Sequence, residues 1–108
     1  MLDANLCIST VVLTKLLHGA AKPVENRREV ERLTDRLDVL AFDAEAAAHA
    51  AEIRTTLERQ GQVIGAYDLL IAGHARSRGL VIVTGNLGEF NRVAGLRSED
   101  WLADPAAT

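Results

Sequence analysis

A chain of 108 residues that is 48% hydrophobic and 25% charged has the make-up of one globular domain over residues 1–108, with a single core and no room for a second. Twelve Lys and Arg against fifteen Asp and Glu leave a formal charge of −3, so no global positive field holds nucleic acid unspecifically, and chemistry on nucleic acid belongs to a local site. Aromatic residues at 4% exclude a base-stacking platform as the main recognition device.

Met1-Leu2-Asp3 reads as the end of a short strand. Asp3 stands where a signal peptide carries basic residues, and no run approaches the roughly 20 apolar residues of a membrane span, so the expectation is a soluble, cytoplasmic protein. The single cysteine, Cys7, excludes an internal disulfide and a multi-thiolate zinc centre, and reads as a small core residue. From Ile8 to Ala21 a β-branched entry gives way to the helical spacing of Val11, Val12, Leu16 and Leu17. After Pro23, Val24 to Arg36 is charged, with Val30, Leu33 and Leu37 as a narrow apolar stripe, and predicts a surface helix. Leu37 to Phe42 is short and apolar, which predicts a strand. Asp43 then offers an N-cap for a helix from Ala44 to Arg59 that Gly61 ends. Gly65 and Asp68 open a further helix, apolar enough to be buried, that stops at Gly79. Leu80 to Thr84 is a strand of the two-faced buried kind. The remainder from Gly85 is expected to be loop, anchored by Phe90, Val93 and Leu96, with Trp101 over a core edge.

Alternating strands and helices predict an α/β domain with a central parallel sheet flanked by helices. In such sheets ligands bind beyond the carboxyl ends of the strands, which directs attention to Asp3 and Asn5 after the first strand and to Asn86 and Glu89 after the strand that ends at Thr84. Asp68 heads the buried helix. Carboxylates from separate elements that converge on one edge repel one another unless a cation lies among them, and hard oxygen donors select Mg²⁺ or Mn²⁺. Each residue also has a plainer reading: Asp68 as a helix cap, Glu89 as a solvated loop residue, Asn5 and Asn86 as turn residues. His18, His49 and His74 lie on different helices without metal-ligand spacing, so they are expected at the surface or the core edge.

Several of these segments together resemble one family. Met1-Leu2-Asp3-Ala4-Asn5 is similar to the opening MLDTN of PIN-domain ribonucleases, specifically the VapC-type toxins of bacterial toxin–antitoxin pairs. The stretch from Cys7 to Ala20, the run Gly65-Ala66-Tyr67-Asp68-Leu69-Leu70-Ile71-Ala72-Gly73-His74-Ala75, the run Thr84-Gly85-Asn86-Leu87-Gly88-Glu89-Phe90 and the triplet Glu99-Asp100-Trp101 continue the likeness in order along the chain. The resemblance implies a PIN-like fold and a metal-dependent endoribonuclease. Asp3, Asp68 and Glu89 would be the acidic ligands of Mg²⁺ or Mn²⁺, and Thr84 and Asn86 would orient water or the phosphate. It also implies a substrate RNA, expected to be transfer RNA, a VapB-like antitoxin as partner, and a homodimer.

Two departures stand out. Lys15 occupies the place of a family glutamate, which turns a carboxylate into an ammonium; unit charges ~4 Å apart at an effective dielectric of about 20 interact by about 4 kcal/mol, so a cation there opposes metal binding unless it extends into solvent. The helical segment that separates the two opening motifs in the family is missing between Asn5 and Leu6, which is expected to expose apolar surface. The competing readings are a catalytically impaired PIN-like domain that binds antitoxin, and an unrelated α/β domain whose acidic residues are scattered.

Overall fold

The computed structural model describes residues 6–19 and 24–100, with the backbone alone for residues 24 and 25. Asp3, Asn5 and Trp101 lie outside the described residues, as does the strand expected at residues 1–3. The chain divides into two compact units, Met1–Phe42 and Asp43–Thr108.

In the first unit β1 (Cys7–Ser9) leads directly into α1 (Thr10–Gly19), followed by α2 (Val24–Thr34) and β2 (Asp38–Leu40). The β-branched start holds as an extended entry because Ser9 ends it: its Oγ accepts the N–H of Val11 at 3.0 Å and opens the helix. β1 and β2 run parallel, with Cys7 opposite Asp38 and Ser9 opposite Leu40. The Thr10 hydroxyl accepts the N–H of Phe42 at 3.2 Å and so ties the end of β2 to the start of α1. The stripe expected to bury α2 is thin, since Leu33 remains 47% exposed, and Leu6 and Val39 are also exposed.

The second unit begins with α3 (Ala44–Gln60), continues through α4 (Ala66–Arg78), β3 (Val81–Val83) and α5 (Leu87–Phe90), and ends on β4 (Arg97–Glu99). Asp43 caps α3 by accepting the N–H of Ala46 at 2.9 Å. At the other end Gly61 takes a left-handed φ of 68°, and Gly79 closes α4 in the same way with φ 66°. Ile53 and Leu57 of α3, Ile64, Ala72 and Ala75 of α4 and its approach, Ile82 of β3, and Phe90 and Val93 form one continuous core. The expected loop after Gly85 instead contains α5 and β4. β4 is an Arg-Ser-Glu strand without an apolar residue, so its sequence carries no strand pattern; the parallel ladder to β3, with Ile82 opposite Ser98, defines it. The parallel pairing is as expected, but the described strands pair two by two, β1 with β2 and β3 with β4, rather than in one ladder.

Gly73 sets how closely α3 and α4 cross. An ideal Cβ on it would stand 2.6 Å from the backbone nitrogen of Ala50 and 2.7 Å from its Cα and Cβ, distances no real contact sustains. Across the same pair Arg76, whose side chain is 15% exposed, donates through Nε to His49 Nδ1 at 2.9 Å and through Nη2 to Glu52 Oε1 at 2.9 Å. Its Nη1 reaches the Ala94 carbonyl at 3.2 Å. His74 departs from expectation: it is 3% exposed, inside α4 rather than at its edge. Burial, and then the charge of Arg78, hold its imidazole below the ordinary value of 6.5, against the pull of Asp43. Among the described residues no helix is long and apolar enough to cross a membrane.

Two stability measurements follow from this packing. Gly73→Ala gains about 1 kcal/mol of helix propensity but forces the helices apart, an overpacking cost of about 1–3 kcal/mol. The net expectation is a lower urea midpoint and a lower Tm, and an unchanged or raised Tm would show that the crossing gives way freely. For His74, the unfolded chain takes up its proton as pH falls through about 6.5, whereas the folded chain does so only at lower pH. The unfolded state binds more protons in that window, so stability is full above it and declines as pH falls toward about 5. Asp43, held low first by its hydrogen bond to Ala46, loses its contribution only below about pH 4, a separate window. Urea unfolding at pH 7 and 5.5 is therefore expected to show a smaller pH loss in His74→Gln than in the parent chain.

Candidate active site

Asp68 sits in the first turn of α4, but it does not cap the helix. Gly65 occupies the N-cap with φ −59° and ψ 150°, and makes no side-chain cap hydrogen bond. The Asp68 carboxylate has a partner outside its own helix. That partner is Asn86, at the N-cap of α5, whose amide likewise caps nothing. Asn86 Nδ2 donates to Asp68 Oδ2 at 3.1 Å and to Glu89 Oε2 at 3.2 Å. One amide group bridges two carboxylates from different helices.

Each member is positioned by the backbone around it. Thr84 continues the β3 ladder, its N–H donating to the Glu99 carbonyl at 2.9 Å, and its hydroxyl accepts the N–H of Asn86 at 3.0 Å. This bond turns the chain from the strand into α5 and aims the Asn86 side chain back at Asp68. Glu89, in the single turn of α5, receives the N–H of Gly65 on Oε1 at 3.4 Å. Its carboxyl is held below its ordinary range, first by a hydrogen bond with the Asp68 carboxyl, then by Gly65, Asn86 and the charge of Arg92, while desolvation acts the other way.

Of the six residues singled out from the sequence, Thr84, Asn86, Asp68 and Glu89 meet in this cluster; Asp3 and Asn5 lie outside the described residues. Scattered acidic residues are thus excluded for Asp68 and Glu89. The plain readings of Asp68 as a cap and Glu89 as a solvated loop residue do not hold. Gly65 was not foreseen, because a backbone N–H leaves no trace in residue type.

Two carboxylates bridged by one amide repel each other unless a donor or a cation offsets their charge. All side-chain donors of the pair and its bridge are hard oxygens or an amide, the chemistry that suits Mg²⁺ or Mn²⁺ and not a thiophilic metal. Among the described residues no group of three His, Cys, Asp or Glu stands ready to hold a metal ion. Arg27 and Arg54 pair with Glu31 and Glu58 one turn along their own helices, and Arg76 is consumed by three acceptors.

Comparison with known proteins places this geometry in a family. The model of the PIN domain matches residues 1–96. The tRNA(fMet)-specific endonuclease VapC of Shigella flexneri is 54% identical over 102 residues, covering 92% of this chain and 77% of that protein. Its counterpart in Salmonella typhimurium is 50% identical over 101 residues, covering 91% and 76%. Among solved structures, DNA-bound VapBC from Salmonella typhimurium superposes with a TM-score of 0.85 at 51% identity, over 88% of this chain and 74% of that one. VapBC2 from Rickettsia felis, bound to a promoter DNA fragment, gives 0.86 at 35% identity, over 92% and 77%. A β–α–β frame that brings Asp68, Asn86 and Glu89 together, matched along nearly its whole length, makes this chain a member of the PIN-domain family, within its VapC ribonuclease branch.

Proposed function

We propose that this chain, as one PIN domain over residues 1–108, is a VapC-type toxin: a divalent-metal-dependent endoribonuclease that hydrolyses phosphodiester bonds in transfer RNA and is neutralised by a VapB-like antitoxin. The observation that carries the reading is the Asp68–Asn86–Glu89 cluster, a pair of carboxylates held together at the mouth of a parallel strand pair. The tRNA specificity named for the Shigella and Salmonella relatives, and the VapBC complexes among the structural neighbours, support the substrate and the partner.

On this reading Asp68 and Glu89, with Asp3, hold Mg²⁺ or Mn²⁺. A cation bound there supplies Lewis-acid stabilisation of the negative charge that develops on the phosphate. The protein's own part is positional. Asn86 keeps the two carboxylates aligned, the Thr84 hydroxyl fixes Asn86, and the Gly65 N–H orients Glu89. Thr84 and Asn86 therefore act on the carboxylates themselves. Lys15, in the place of a family glutamate, is exposed on α1. The reading keeps the enzyme active and assigns Lys15 a weakening of metal affinity.

Cleavage of tRNA in Mg²⁺ or Mn²⁺ tests the proposal. Asp68→Asn and Glu89→Gln are each expected to abolish cleavage without lowering the Tm, since each removes one of two apposed carboxyls. Asn86→Ala, which leaves both carboxylates but frees them, is expected to cost about 10–100-fold in activity or metal affinity. Chelation by EDTA stops the reaction. Activity retained in Asp68→Asn would sink the assignment. Lys15→Glu is expected to lower the metal concentration for half-maximal cleavage. A metal titration unchanged by that substitution would remove Lys15 from the site.

A further inference from the structure

The acidic cluster has a guanidinium at its rim. Arg92 follows α5 closely, and its backbone N–H donates to the Glu89 carbonyl at 3.1 Å. Its side chain returns to the loop before α4, where Nη1 donates to the Val63 carbonyl at 3.1 Å. Two residues on from Val63, the Gly65 N–H is on the Glu89 carboxylate. Residues 63 to 65 are thus held at one end by Arg92 and at the other by Glu89, and the charge of Arg92 reaches that carboxylate.

The manner of this anchoring matters. The acceptor is a neutral carbonyl, so Arg92 is held without an ion pair, unlike Arg27, Arg54 and Arg76, each of which pairs with a carboxylate; its charge acts on Glu89 only through space. Among the described residues Arg92 forms no ion pair, and its guanidinium has no hydrogen bond besides the one to Val63. The remaining N–H groups of an exposed, positioned fork are open. A phosphodiester approaching Asp68 and Glu89 meets like charge, and a planar guanidinium offers the two-point donor pattern that phosphate oxygens accept.

We infer that Arg92 is a substrate-binding residue, whose uncommitted N–H groups hold a phosphate of the RNA strand next to the scissile bond. The inference rests on the ribonuclease reading above. It assigns binding to Arg92 and leaves metal retention to the carboxylates.

The test compares the parent chain with Arg92→Gln, which removes the charge but keeps a polar side chain, and with Arg92→Lys, which keeps the charge without the fork. Binding of total bacterial tRNA is followed by fluorescence anisotropy in EDTA across a salt series, and cleavage is followed in Mg²⁺. For Arg92→Gln the expected result is binding weaker by about tenfold or more, the loss of one charge-assisted contact. The log–log salt slope should become shallower by about 0.7 to 0.9, KM should rise and kcat should hold. Arg92→Lys recovers the salt slope but only part of the affinity. Parent-like tRNA binding and KM in Arg92→Gln overturn the inference, as does a fall in kcat with binding intact, which would make Arg92 a positioning residue for the Glu89 loop. A parent chain that neither binds nor cleaves tRNA would instead bring down the ribonuclease reading, and this inference with it.

Discussion

The second unit depends on one close contact, the crossing of α4 over α3 at Gly73. With no side chain there, the backbone of Ala50 comes within the distance a Cβ would occupy. Close approach lets small residues serve as core: Ala46, Ala50, Ala72 and Ala75 are all buried, and the larger Ile53 and Leu57 reach past them to Ile82 and Phe90. Interiors packed at crystal-like density do not absorb an added methyl without a shift. Arg76 then spans the same helix pair and continues to the turn at Ala94, so the chain just before β4 is tied to the helices that precede β3. The N-terminal turn of α4, and Asp68 with it, inherits its position from this packing.

Placed there, Asp68 takes part in an arrangement that is costly in itself. Two carboxyl groups in contact disfavour each other's ionisation, and the structure offsets this with donors from three places: the Asn86 amide, the Gly65 N–H and the field of Arg92. None of these is a helix cap, although both Asp68 and Asn86 stand at helix starts and are residue types that commonly cap. Local stability has been forgone at two helix N-termini so that side chains face each other across the loop. Such local conflict is what a functional site produces.

Much of this was legible along the chain. The caps of α3 and the glycines that end α3 and α4 are signals carried by single residues, and each structure element they bound appears where they place it. β4 was not legible, since a polar edge strand has no periodicity to detect and exists only through its ladder to β3. His74 was misplaced for a related reason: a helix as apolar as α4 is buried on most sides, and residue type alone does not say that a histidine shares that fate. Arg76 and Arg92 look alike in sequence, yet one is spent on three acceptors and the other is held by one carbonyl.

The sequence by itself determined the α/β class, the limits of α3 and α4, and the identity of Asp68, Asn86 and Glu89 as residues to watch, because these follow from periodicity, capping chemistry and position after a strand; Thr84 joined them through the family resemblance. Only the tertiary structure decided that a single amide bridges the two carboxylates, that Gly65 steadies one of them, and which arginine keeps its charge open beside them. These facts depend on distances between residues 18 to 29 positions apart, and hydrogen bonds of about 3 Å are set by helix packing and loop closure, not by local pattern.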